Sequence, residues 1–475
     1  MRPDRLFVLA ASATLAVLLG GCNLAPAYLR PDGSVPDHYP QADATSTAAA
    51  AAPPPWQDYF KDPVLVELIG RALRQNRDLG AAAARVEQAR AQYRIQDSQR
   101  LPSLDAQSSA QRVRTPLSAA DDAPRVTVDS YAVQVAVPSF EVDFWGRVAN
   151  LSEAARRQYL ATVEARNIGE LSLVANVAAS YYALRASEQG IDLAERSLDS
   201  RRQTLELAQL RMDAGLTSSI DFNQSQALVL QAELQLAQLR RSRALAEQLL
   251  QFLVGAPLPS PLPEGLPLQP DAQLARLAAG TPSALLEARP DIRMAEQQLR
   301  AANANIGAAR ALYFPTIALT GAGGYASNEL SGLVSDSNRV WSFGAGALLP
   351  LFDWGARRAR VDAARATRQE RELSYQSTVQ NAFREVAGGL QATEQNDVQI
   401  AAQVQAVAVQ AALVATAQDR YGVGLTPYLE VLDAERNHFS AEQNLLQLRA
   451  NALQDAVNLY AALGGGQASP ADAPR

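Results

Sequence analysis

The sequence predicts an α+β membrane protein built from one unit written twice, each unit carrying a pair of strands and a pair of long helices. Three observations lead there. "AGLTSSIDFN" (214–223) and "VGLTPYLEVL" (423–432) place the same Gly-Leu-Thr turn 209 positions apart, at Gly215 and Gly424, each time between two long Ala-, Leu- and Gln-rich stretches. The stops Pro102 and Pro315 lie 213 positions apart, as do Asp78 and Asp291. Behind each stop the apolar residues alternate one by one. A repeat at fixed spacing outranks local patterns, because it decides the architecture.

The first repeat, 63–255, opens with apolar residues three and four apart, a helical pattern that Pro102 ends. The second, 285–464, opens likewise with "RPDIRMAEQQLRAANANIGAARALYFPTI" and stops at Pro315. Strand hairpins follow at 103–137 and 316–349. In "TVDSYAVQVAVPSF", Tyr131, Val133, Val135 and Val137 face one way and Ala132, Gln134 and Ala136 the other. In "VWSFGAGALLPLF", Trp341, Phe343, Ala345, Ala347 and Leu349 oppose Ser342, Gly344 and Gly346. Period two means strand, and an apolar face backed by small or polar residues suits a wall between lipid and water. A hairpin covering a soluble core is the plainer alternative. The partner strands are weaker, with Leu104 and Ala106 in one and Ile317 and Leu319 in the other.

Helical pattern resumes at Trp145-Gly146 and Trp354-Gly355, again 209 apart, and runs from Arg147 to Ala214 and from Arg357 to Tyr421. Some 65 residues at about 1.5 Å each reach on the order of 100 Å. Past each turn a helix returns, Ser218 to Leu253 and Pro427 to Leu463, ended by Gly255 and Gly464. Gly215 and Gly424 are therefore the tips of two helical hairpins. Glycine there takes the left-handed conformation that closes a helix, and Thr217 and Thr426 are expected to cap the next one.

The ends carry their own signals. A basic start, an apolar run from Leu6 to Leu19 and small residues make 1–21 a secretory signal, too short for the roughly 20 residues of a membrane span. Cys22 is the one cysteine, so no intrachain disulfide forms. A lone cysteine is ordinarily a small buried hydrophobe. After Leu19-Gly20-Gly21, however, it resembles a bacterial lipobox, which implies cleavage before Cys22 and an N-acyl, S-diacylglycerol lipid on it. Asn23 in the next position resembles the outer-membrane sorting pattern. Residues 22–62 read as a lipidated N-terminus with an Ala/Pro-rich linker, 256–284 as a Pro-rich connector and equatorial segment, and 465–475 as a disordered tail.

Formal charge is −6 with a pI near 5.3, and no basic tract or aromatic-basic interleaving offers a nucleic-acid surface. His38 and His438, far apart and without a second cysteine, assemble no zinc site. No nucleophile elbow and no phosphate loop are present. "GAGGY" (321–325) lies in a strand pattern with no helix behind it. No catalytic, metal or cofactor residues are expected.

Four strands cannot close a membrane barrel, and open strand edges in lipid leave backbone groups unsatisfied. Three copies give a 12-stranded barrel continued by a helical barrel; two would give eight strands whose interior side chains fill. A homotrimer follows. The double strand-hairpin and helix-hairpin repeat resembles the outer-membrane efflux proteins, the TolC-like channels, and among them the lipoprotein NodT-type branch. The most specific pieces are the Cys22 lipobox, "PLFDWG" (350–355) and "RYGVGLTPYLEVLDAER" (420–436). The resemblance implies a homotrimeric 12-stranded outer-membrane β-barrel running into a long periplasmic α-helical barrel. It implies a passive exit duct, not an enzyme, for drugs or other small molecules. These are delivered by an inner-membrane transporter through a periplasmic adaptor. The same fold also serves as the exit duct of type I protein secretion.

Leu425, Leu429 and Asp433 follow at i+4 spacing and share one helix face. By resemblance Leu429 and Asp433 line the periplasmic aperture, one ring dewetting the bore and the other attracting cations. Plain helix packing for Leu429, and a solvated face or an i,i+3 pair with Arg436 for Asp433, stand beside that reading. Arg420 and Tyr421 match the pair that, by resemblance, ties the inner helices to a neighbour when closed, with Asp192 or Asp213 as acceptor. The first repeat carries Ile220 and Gln224 where the second carries Leu429 and Asp433, so charge at the aperture is expected from the second repeat alone.

Overall fold

The computed structural model describes residues 23–32, 35–36, 53–116, 124–275, 277 and 289–466. The signal segment, Cys22 and residues 37–52 of the expected 22–62 linker lie outside them, as do 467–475 of the expected tail. The chain divides into two compact units.

The first unit comprises Met1–Asp32, Arg85–Val163 and Met294–Tyr375. It holds the four strands found among the described residues: β1 (Asp105–Pro116), β2 (Arg125–Val142), β3 (Thr316–Ser327) and β4 (Arg339–Leu348). They form one antiparallel sheet in the order β1-β2-β3-β4, leaving β1 and β4 as free edges. The register puts Val135 opposite Gly323 and Gly323 opposite Trp341, so Tyr131, Val133, Val135, Trp341 and Phe343 share a face as the alternation requires. Trp341 is 82% exposed and Phe343 69%. Small or polar Ala132, Gln134, Ala322, Ser342 and Gly344 occupy the other face.

Two details depart from expectation. Pro138 does not end β2. The strand continues to Val142 through a register shift between Val137 and Phe140, and the extra residue lets a proline without an N–H sit in an inner strand. The alternation also inverts near the β1–β2 loop. There Arg112, Arg114, Arg125 and Asp129 occupy the valine-tryptophan face, Arg112 bonding Asp129 at 2.5 Å, while Val113, Val126 and Val128 lie on the small-residue face.

Residues 23–30, expected as part of a tether, are strapped instead to Asn150, at the start of the long helix 147–213, and to the helix α5 (Pro290–Ala311). Asn150 Nδ2 donates to Asn23 Oδ1 (3.0 Å), Arg310 to the Leu24 carbonyl (3.1 Å) and Asn303 to the Pro26 carbonyl (2.8 Å). Buried Glu296 accepts from Tyr28 (3.2 Å) and pairs with Arg30 (2.9 Å) and Arg300 (2.7 Å). Burial, then the Glu296 charge, push the Tyr28 phenol up to about 12.

The second unit comprises Gly33–Ala84, Glu164–Arg293 and Gln376–Arg475. The opening helix of the first repeat is broken in two, α1 (Pro63–Gln75) and α2 (Arg77–Ser98). Asn76 makes the break. It leaves the helical region (ψ 126°), its amide nitrogen donates to the Leu253 carbonyl (2.9 Å) and its amide oxygen caps Leu79 (3.0 Å). The long helices are α3 (Arg147–Asp213) and α6 (Ala356–Gly422), 67 residues each and free of proline; the return helices are α4 (Ser219–Val254) and α7 (Tyr428–Ala462). The core gathers Phe60, Leu65, Ile69, Val177, Leu250, Val254, Leu453 and Val457 around stacked Tyr59 and Tyr460, whose centroids are 4.2 Å apart. Fully buried Asp62 caps Val64 and accepts from Tyr181 (2.7 Å) and from the Leu266 amide (2.9 Å), fixing the Pro-rich connector to the core. Burial, then Asp62, hold the Tyr181 phenol far above its usual value. Gly465, assigned to the tail, accepts from the Tyr460 hydroxyl at 2.6 Å.

Candidate functional site: the helix-hairpin tips

Both tips are closed by one backbone device. The Gly215 amide bonds Met212 O (2.9 Å) and the Leu216 amide bonds Arg211 O (2.8 Å); Gly424 bonds Tyr421 O (3.0 Å) and Leu425 bonds Arg420 O (2.9 Å). Each atom pair in one repeat is matched 209 positions on in the other. This is a Schellman closure. Gly215 and Gly424 take φ of +71° and +78°, and a Cβ at either would meet nothing within 4 Å. Conformation, not space, selects glycine there, since a left-handed L-residue costs roughly 1–2 kcal/mol.

The caps differ from expectation. Ser218, not Thr217, is the N-cap of α4, while Thr217 Oγ1 bonds Asp221 (2.5 Å). Pro427 is the N-cap of α7 and supplies no side-chain cap, and Thr426 Oγ1 is buried with no hydrogen-bond partner among the described residues.

Leu425 belongs to the turn, three residues ahead of α7, so it precedes the helix face that Leu429 and Asp433 share. All three are exposed in one chain, Leu425 by 71% and Leu429 by 50%, while Val431 and Leu432 on the opposite side are buried. The exposed row is the side left for a bore or a neighbour. Asp433 pairs with Arg436 at 3.1 Å, the i,i+3 partner the spacing allowed.

Arg420 reaches Glu430 within its own hairpin (3.6 Å). The Tyr421 ring lies under the Arg211 guanidinium, 4.7 Å from the centroid, and beside Tyr428 (4.9 Å, 51°). Burial raises the Tyr428 phenol, whose hydroxyl shares a hydrogen bond with Thr204. The structure does not bring Asp192 to this cluster. It pairs with Arg196, and 21 helical residues separate it from the end of α3, about 30 Å. Asp213 is at the tip but bonds Gln209 (2.8 Å). Sequence reasoning missed Arg211, Tyr428, Glu430 and Asp221. The repeat carried the signal, because Arg211 is the counterpart of Arg420 and Asp221 of Glu430 at the same offset of 209. Asp221 and Glu430 thus place a carboxylate at the same point of both turns, while Gln224 still stands where the second repeat has Asp433.

A groove of about 660 Å³ elsewhere in the second unit is walled by Arg289, Asp291, Arg384, Glu385 and Asp455. Buried Arg289 is held there by Asp291 (2.6 Å), Glu385 (2.8 Å) and the Ala462 carbonyl (2.9 Å). Among the described residues no group of three or more His, Cys, Asp or Glu is placed to hold a metal ion.

The family model "Outer membrane efflux protein" matches residues 68–256 and 281–465, so it covers both repeats. The solvent efflux pump outer membrane protein SrpC of Pseudomonas putida is 40% identical over 457 residues, 95% of this chain and 96% of that protein. The outer membrane protein OprJ of Pseudomonas aeruginosa is 37% identical over 457 residues, 95% of this chain and 94% of that one. Among solved structures, the open state of the MtrE outer membrane channel of Neisseria gonorrhoeae is similar at TM-score 0.86 and 37% identity, covering 94% of this chain and 98% of that one. A membrane protein of Pseudomonas aeruginosa matches at TM-score 0.87 and 35% identity, covering 93% and 100%. With two sheet hairpins, two closed helical tips and these relatives, the chain belongs to the outer membrane efflux protein family and is an efflux channel of the outer membrane.

Proposed function

We propose that three copies of this chain form a passive exit duct for small apolar molecules, solvents or antibiotics, fed by an inner-membrane transporter through a periplasmic adaptor. The observation that carries the assembly is the four-stranded sheet with two free edges and an exposed Val-Trp-Phe face. Such a sheet is stable in lipid only when its edges are paired, and three copies supply twelve strands. The long helices point the same way. A stretch of α6 without a charged residue between Asp397 and Asp419 is apolar enough to pass for a membrane span yet is only 6% buried in one chain. Neighbouring helices of an assembly give it cover. Cys22 carries a lipid that holds the chain at the membrane.

The small-molecule cargo is supported by the names of relatives, among them a solvent efflux pump and an antibiotic efflux pump component. These favour small-molecule export over protein secretion. The duct needs no catalysis, since a partner supplies the energy. Its own work is to open and close at the tips. There Leu429 narrows the bore, Asp433 and the Asp221 and Glu430 carboxylates attract cations, and the Arg211–Tyr421–Tyr428 cluster keeps the second hairpin against the first. The test is a deletion strain loaded with toluene or a fluorescent antibiotic. Loss of the gene should raise the retained compound, and the intact gene should restore export. Unchanged retention of every compound, with secretion of a protein lost instead, overturns the cargo reading.

A further inference from the structure

Trp145 and Trp354 are the same residue of the two repeats, and each precedes a glycine with positive φ, Gly146 at +70° and Gly355 at +88°. Their surroundings differ. The Trp145 ring stacks on Phe314 with centroids 4.5 Å apart, and its Nε1 donates to the Pro315 carbonyl at 2.9 Å. Phe314 and Pro315 form the corner where α5 turns into β3, which belongs to the second repeat. The tryptophan of the first repeat is therefore seated by the corner of the second.

The tryptophan of the second repeat has no such seat. Trp354 is 90% exposed and meets only Phe352 among the described rings, edge-on at 4.7 Å. The corner of the first repeat is correspondingly empty. Leu101 and Pro102 stand 213 positions before Phe314 and Pro315, and Leu101 is 73% exposed. Each chain thus holds one tryptophan without a seat and one seat without a tryptophan.

We propose that the two fill each other between copies: Trp354 of one chain lies on Leu101 of a second copy, and its indole N–H donates to the Pro102 carbonyl of that copy. This rests on the assembly proposed above and names the side chains that join at each boundary. Because the donor and acceptor surfaces differ, the contact is head-to-tail and closes only as a ring.

Two independent observations support it. The helix leading to the filled corner, α5, is covered inside the chain. Gln297 accepts from Arg157 (3.1 Å) on α3, Gln298 accepts from Arg371 (3.3 Å) on α6, and Ile292, Leu299 and Ile306 are buried. Its counterpart α2, which leads to the empty corner, buries only Leu79. This helix meets α3, through Asp97 accepting from Ser152 (2.6 Å) and Tyr93 stacked on Tyr159 (6.4 Å), but it buries far less than α5, and a second copy that brings Trp354 would supply the remaining cover. The backbone is the other observation. Trp354 is the one non-glycine residue with positive φ (+55°) among the described residues, whereas Trp145 is not. Such a conformation persists where its surroundings hold it, and a neighbour's corner provides the missing hold. The sheet edges agree: Leu101 lies four positions before β1 and Trp354 six after β4, so pairing of these two free edges between copies brings residues from the same ends of the strands together.

The experiment pairs Trp354→Cys with Leu101→Cys in the full chain and treats outer membranes with a short bis-thiol-reactive reagent. Trp145→Cys with Phe314→Cys calibrates it, because that pair is in contact within one chain and must cross-link without raising the mass. The expected result for Trp354→Cys with Leu101→Cys is a ladder of dimer and trimer on a reducing denaturing gel, absent from either single variant. If native mass shows the trimer and the calibrating pair cross-links while the 354/101 pair stays monomeric, the contact is wrong and the trimer stands. If native mass shows no trimer, both fail. A second readout is the temperature at which the trimer dissociates in dodecyl sulfate. Trp354→Ala should lower it, with Trp354→Phe falling between, and equal temperatures for all three proteins overturn the proposal.

Discussion

Tyr421 offers the most informative perturbation of the tips. Its ring makes two contacts, under the Arg211 guanidinium at 4.7 Å and against Tyr428 at 4.9 Å. A partly exposed cation–π contact contributes about 0.5–1 kcal/mol and an aromatic pair about 0.5–1.5, so removing the ring should cost roughly 1–2.5 kcal/mol, a shift of roughly 5- to 60-fold in the closed–open ratio of a hairpin. Tyr421→Ala should raise the open probability of single channels on that scale, and cells carrying it should admit a large antibiotic. Tyr421→Phe keeps both ring contacts and should behave as wild type. In a double-mutant cycle, Arg211→Ala and Tyr421→Ala should fall short of additive, because they remove one shared contact. If Tyr421→Phe opens the channel as much as Tyr421→Ala, the hydroxyl and not the ring restrains the tip, and a bond to another copy is at work.

Leu429→Ala should enlarge closed-state conductance without loss of fold, since the side chain is half exposed in the chain; Asp433→Ala should lower cation preference and leave the trimer as stable, because its pair with Arg436 is exposed and worth under about 1 kcal/mol. Single-channel conductance and reversal potentials check both. The Glu296 clamp should release in acid. Burial raises the Glu296 carboxyl, but Arg30 and Arg300 outweigh it and leave it below its usual value. A lowered folded value stabilises above the unfolded value near 4.3 and is lost as pH falls through the folded one. Protease cleavage within 23–32 should therefore rise only under strongly acidic conditions, and Glu296→Gln should show it already at neutral pH. Cys22→Ser should abolish labelling with radioactive palmitate yet still yield trimer, because residues 23–30 are bonded to α3 and α5 without any lipid; complete loss of trimer contradicts this.

What the sequence made legible was whatever repeats or has a period. The offset of 209 located Gly215 and Gly424, and the backbone bonds at both tips repeat atom for atom. Alternation located the strands and their apolar face. What it hid depends on single residues or on distant partners. Asn76 breaks a helix without proline or glycine: its side-chain oxygen caps the start of α2 at Leu79, while its side-chain nitrogen ties the break to the Leu253 carbonyl of α4. Pro138 looks like a strand end until the bulge that accommodates it is seen. The strap of 23–30 joins residues more than 260 positions away, which no local pattern announces. At the tips, the spacing put Leu429 and Asp433 on one exposed face. It did not reveal that Arg211 covers Tyr421, because that contact joins the two repeats in space.

The central claim is that this chain, with four strands and two free edges, becomes a conducting tube only as three copies. The decisive measurement is native mass of the detergent-extracted protein together with its conductance in planar bilayers. Three chains per particle and gated, cation-preferring single channels are the expected result. A stable monomer, or a trimer through which no ion passes even when the tips carry Leu429→Ala and Tyr421→Ala, contradicts it.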